Sequence, residues 1–208
     1  DAVVVLDFKT LAEYRPMLED TSSFAHKIFN EESGLVRLQE DLLGIDAISS
    51  VPFVYSLHYS SKNNVSFLQV VDLKSVNQDD VTRLLLGGER EKKYNGVNIY
   101  SLPYGVVAAL HNNLLLASSS SYVLESSIRH LENSTSILDN GQFADLLSVY
   151  GDATGVFVNH NQIGKLFSGI VERGFLGYSD FVMKFTSWSR LDAVVEPGKL
   201  ELSGVMEN

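Results

Sequence analysis

The chain has 208 residues, 45% of them apolar and 20% charged, a balance that fits a folded globular protein and excludes a disordered one. Its net charge of −10 repels phosphate backbones and its basic residues are scattered, so no nucleic-acid partner is expected. It has no cysteine, which excludes disulfides and thiolate metal sites, and no apolar run near the ~20 residues that span a bilayer.

In chain order, the β-branched run from Ala2 to Phe8 predicts a buried strand. Thr10 can cap a helix bearing Leu11 and Tyr14, which Pro16 bends or ends. Ser22 or Ser23 can start a second helix through Phe24, Ile28 and Phe29. Gly34 breaks it, and Leu35, Leu38 and Leu42 continue helical spacing to Gly44. Pro52 biases the adjoining residues toward extended chain. Phe53, Tyr55, Leu57 and Tyr59 then alternate with Val54, Ser56, His58 and Ser60, the pattern of a strand with one buried face. Ser60 to Asn64 turns the chain into a return strand, Val65 to Val71. A helix capped by Ser75 comes next and stops at Gly87-Gly88.

Asn95-Gly96 predicts a tight turn between two strands within Glu89 to Leu102. The first of these, EREKKY, carries the charge of an exposed edge. Val106 to Leu110 is apolar on both faces, which fits a sheet covered on both sides. His111-Asn112-Asn113 turns it into Leu114 to Leu116. Ser118 to Ser121 offer caps for a helix with Leu124, Ile128 and Leu131 on one stripe. A polar loop, Glu132 to Ser136, leads to a helix with Phe143, Leu146, Leu147 and Tyr150. Thr154 to Asn159 is a strand, and Asn161 can cap a helix with Ile163, Leu166, Phe167, Ile170 and Val171, stopped at Gly174. The stretch from Phe175 to Phe185 is ambiguous. A last hairpin runs from Ser189 to Val195, through Glu196-Pro197-Gly198-Lys199, to Leu200–Met206.

Two orders of elements recur. Strand-then-helix at 3–14 resembles 154–171, and hairpin-then-helix at 53–86 resembles 106–131. The expected fold is α+β: mixed, largely antiparallel sheets built from repeated β-hairpin–helix units, with helices packed on one face. No linker divides the chain, so residues 1–208 are expected to form a single domain or two closely packed lobes, about 1–88 and 89–208. A first residue that is aspartate and a last hairpin without its helix suggest a fragment of a longer exported protein.

Few residues point to chemistry. His26, His58, His111, His130 and His160 form no metal-ligand spacing; His58 and His111 stand near hairpin turns and could approach each other. No GxSxG, GxGxxG or P-loop pattern occurs, and Ser118 to Ser121 suit helix capping better than nucleophilic chemistry. Asp79-Asp80, Glu31-Glu32 and Glu40-Asp41 read as solvated helix faces, leaving no catalytic residue and no cofactor. The aromatic cluster Phe175, Tyr178, Phe181, Phe185 and Trp188 is the candidate ligand-binding set, set against its reading as a lid closing the core.

A strand ending in aspartate before a helix, ALHNNLLLASSSSYVLESSIRHL, LDNGQFADLL, GVFVNHNQIGKL and WSRLDAVVEPGKLELSGVM together resemble a domain-of-unknown-function family of extracytoplasmic proteins of Gram-negative gut bacteria. The resemblance covers most of the chain and implies a location in the periplasm or at the cell surface. It also implies a membrane anchor in a segment absent from this chain, and it transfers no catalytic residue. The leading expectation is a non-enzymatic extracytoplasmic binding or scaffold domain contacting a partner protein or envelope component. The alternatives are a carrier of a lipid-like or other apolar ligand and, third, a hydrolase.

Overall fold

The computed structural model describes residues 2–8, 10, 33–45, 48–62, 64–150, 155–163, 184, 186–196 and 199–206. The helices expected at 11–14 and 22–29, the body of the helix expected to run to Val171, and the turn residues Pro197 and Gly198 lie outside them. The fold is α+β, organised on one sheet. Its strands are β1 (Ala2–Phe8), β2 (Phe53–Tyr59), β3 (Val65–Asp72), β4 (Glu89–Tyr94), β5 (Val97–Leu102), β6 (Val106–His111), β7 (Leu114–Ser118), β8 (Gly155–Asn159), β9 (Trp188–Glu196) and β10 (Lys199–Met206). They lie in the order β10-β9-β8-β1-β2-β3-β7-β6-β5-β4, and every pairing is antiparallel. The described strands thus make one antiparallel sheet, where mixed sheets were expected.

Local chemistry accounts for the hairpins. Asn95 and Gly96 hold φ of 45° and 84°, and Asn112 and Asn113 hold 50° and 63°. This left-handed backbone matches the twist of the strands that the two turns join, and asparagine and glycine tolerate it best. The charged strand β4 is an edge of the sheet, where its Lys and Glu side chains oppose pairing with another chain.

Four described helices are α1 (Ser33–Leu43), α2 (Gln78–Leu86), α3 (Ser121–Glu132) and α4 (Gly141–Tyr150). They cover both faces of the sheet, and the expectation of one helical face is corrected. On the first face Leu38 and Leu42 of α1 and Val81 and Leu85 of α2 pack with Phe53, Tyr55, Phe67, Val71, Ala108 and Leu115. On the second, Leu124 and Ile128 of α3 pack on Ile99, Val107, Ala109 and Leu116. Phe143 and Leu146 of α4 pack on Val5, Phe157 and Trp188. Successive residues of β6 and β7 enter opposite cores, which is why both faces of those strands must be apolar. The stretches 53–86 and 106–131 therefore share an order of elements but set their helices on opposite faces.

The helix starts refine the expected caps, and two of them move to another residue. Asn77, not Ser75, caps α2, accepting from the Asp79 amide at 3.1 Å. Asp79 and Asp80 do stand in the first turn of α2, and Asp80 also pairs with Arg83 at 2.8 Å. Ser120 occupies the cap position of α3 without a side-chain bond, while Ser118 accepts from the Ser120 amide at 3.1 Å and ties β7 to β3 by donating to the Phe67 carbonyl at 2.5 Å. Asn159, not Asn161, accepts the amide at the start of the helical turn 160–163. Gly34 lies inside the first turn of α1. A Cβ there would run into the Tyr104 carbonyl, so close approach explains the glycine.

Candidate functional site: a groove between two helices

On the second face α3 covers the β5–β7 side and α4 the β1, β8 and β9 side. The strands between them, chiefly β2, are left at the bottom of a groove of about 460 Å³. Its floor is Ala2 and Val5 of β1, Val54, Ser56 and His58 of β2, Leu68 and Val70 of β3, and Leu116 of β7. A bulge in β1 between Ala2 and Val4 lets both Ala2 and Val5 face it. Ser127, His130 and Leu131 of α3 form one wall, and Asn159 and Trp188 lie on the other side. The connection to α4 closes one end with Thr135, Ser136, Ile137 and Asn140, all exposed at the mouth. A capping box holds that connection: the Ser136 hydroxyl accepts from the Leu138 amide, and Asp139 accepts from the Ser136 amide at 2.9 Å.

The polar groups on the lining are fixed by specific bonds. Ser56 Oγ lies 2.8 Å from His58 Nε2 and donates to the Leu68 carbonyl at 3.4 Å. With its proton on that carbonyl, the serine oxygen accepts from Nε2–H, and His58 Nδ1 becomes the lone-pair nitrogen. Burial first, then the amino terminus and the proximity of His130, lower the His58 pKa from 6.5 to about 4, so the imidazole of His58 is neutral near pH 7. His130 Nδ1 bonds Thr135 Oγ1 at 2.6 Å while that hydroxyl donates to the His130 carbonyl at 3.3 Å, which leaves Nε2 for an incoming group. Asn159 spends its amide on the Ala2 carbonyl at 3.1 Å.

No protein-family model, no curated protein and no solved structure matches this chain.

Of the aromatic set, Phe175, Tyr178, Phe181 and Phe185 lie outside the described residues. Trp188 is buried, packs edge-on against Phe143 with ring centroids 5.0 Å apart, and also lines the groove. It therefore serves the core and the cavity together. His58 and His111 do not meet: the registers place His58 beside Ser66, at one end of β3, and the β6–β7 turn beside Asp72 at the other. His111 instead meets Asn112 within its own turn. His160 bonds Ser189 at 2.8 Å and burial lowers its pKa, while His26 lies outside the described residues. Among the described residues no three His, Asp or Glu side chains gather as a metal site would require, and no helix is long and apolar enough to cross a membrane.

Sequence reasoning passed over Ser56, Leu68, Val70 and Asn159, and gave His130 no site role. The signal for the first was present: Val54, Ser56 and His58 alternate as one face of a strand. That face reads as solvent-exposed, and only the placement of α3 and α4 turns it into the lining of a groove.

Proposed function

We propose that this chain is a binding module that holds a small ligand with an apolar body in the groove between α3 and α4. The observation that carries this reading is the cavity itself. It has about 460 Å³, a largely aliphatic floor, and a few oriented polar groups on the floor and at the mouth, the common composition of a small-molecule site. Leu131, Ile137 and Leu138 beside the mouth are more than a third exposed, apolar surface that a ligand reaching out of the groove would cover. An extracytoplasmic setting, an anchor and an envelope or protein partner belong to the same proposal and rest on the motif resemblance. So does a module repeated as hairpin plus helix, supported by the shared element order of 53–86 and 106–131.

Trp188 is the only tryptophan and lines the site, so it is a built-in reporter. Titration with 1-decanol should change its emission saturably, and Val70→Phe, which fills the floor, should abolish the response while circular dichroism stays the same. An unchanged emission, or an identical titration in Val70→Phe, would remove the proposal.

The Ser56–His58 contact favours a second reading, hydrolysis through a serine nucleophile. It is the weaker one. Among the described residues no carboxylate orients the other nitrogen of His58, the shared proton lies on Nε2 facing the serine, and the depressed basicity makes a poor general base. Covalent labelling of Ser56 by a fluorophosphonate would restore it.

A further inference from the structure

Among the described residues that line the groove there is no Asp, Glu, Lys or Arg, and of these only His58 on the floor and His130 at the mouth can carry a charge. Each histidine has one ring nitrogen committed to a hydroxyl, Ser56 or Thr135, and one without a partner among the described residues. Aliphatic side chains lead away from them along the floor. On the reading of the groove as a ligand site, we infer that it takes a monocarboxylic acid with an apolar chain, its carboxyl group held between His58 and His130 and its chain lying on Val54, Leu68 and Val70. Among the described lining residues a basic ligand would find no acid to pair with. A neutral alcohol would leave one of the two nitrogens unused.

The inference has a proton consequence. His58 is neutral in the empty groove near pH 7, and its open nitrogen Nδ1 can donate to a carboxylate only after taking up a proton. Binding of the ionised acid therefore draws at least one proton from solvent, onto His58 Nδ1, forming a carboxylate–imidazolium pair. Among the described residues the other charged groups near His58 are few. α3 presents His130, and the amino group of residue 1 also bears on it. Asp139, on the connection to α4, accepts from the Ser136 amide. The adjoining parts of β1 and β3 contribute Ala2, Val5, Ser66 and Leu68, none of them titratable. Arg190 of β9 stands three strands away and is paired with Asp192 at 3.2 Å.

The test compares decanoate with 1-decanol at pH 5.5, 6.5 and 7.5, read by Trp188 emission and calorimetry. Decanoate should weaken as pH rises, by about tenfold or more per unit, while 1-decanol stays level. His58→Gln and, at the exposed mouth, His130→Gln should each lower decanoate affinity about tenfold or more at pH 5.5 and leave 1-decanol within about twofold. Should His58→Gln fail to fold by circular dichroism, His130→Gln alone decides the comparison. Decanoate binding with no pH slope, or unaffected by the folded variants, would overturn the inference while 1-decanol binding keeps the groove reading intact. If neither compound binds, both readings fall.

Discussion

His58 shows how a single side chain can be set by its surroundings. The Ser56 hydroxyl holds one nitrogen, and burial under the α3 wall disfavours the charged form. Unfolding releases the ring to its ordinary value of 6.5 from about 4, so the unfolded chain binds the extra proton between those two limits. The contribution to stability is present above pH 6.5 and lost as pH falls toward 4, at most about 3 kcal/mol. Urea unfolding at pH 7, 5.5 and 4.5 should show this fall, and His58→Gln should flatten it through that window. An equal pH slope in the variant would mean that other groups set it. The strand alternation puts Ser56 and His58 on one side in plain sight. It carries no sign of His130, which arrives from a helix far along the chain, so half of the polar pair was legible and half was not.

At the level of elements, the hairpins were the easiest to read, because their signals are local. Asn95-Gly96 and Asn112-Asn113 specify their turns wherever the sheet places them. Caps were less legible: Ser75 and Asn77 are both able to accept an amide, and only the backbone path selects Asn77. The face each helix covers was not legible, since β6 and β7 offer apolar residues on both sides. The two-sided arrangement predicts that Leu85→Ala in α2 and Leu124→Ala in α3, both fully buried, each destabilise by about 2–5 kcal/mol in denaturant unfolding. If α3 rested on solvent, Leu124→Ala would cost no more than about 0.5 kcal/mol.

The whole molecule depends on pairings between distant parts of the chain. β1 lies between β2 and β8, and β7 returns beside β3, so the two meanders β1-β2-β3 and β7-β6-β5 meet edge to edge. Nothing in a local window reports such registers; a strand reads the same whichever neighbour it has. Asn159 donating to the Ala2 carbonyl closes one of these long-range contacts, 157 residues apart in the chain. The groove is the product of this closure. α3 rides on the β5–β7 side and α4 on the β8–β9 side, and the strands they leave between them form its floor. The most direct measurement is therefore nuclear Overhauser contact between bound 1-decanol and the methyl groups of the protein. The account predicts contacts to Val54, Leu68, Val70 and Leu116, all on the floor of the groove. Contacts confined to Val81 and Leu85 on the opposite face, or none at saturating ligand, would contradict it.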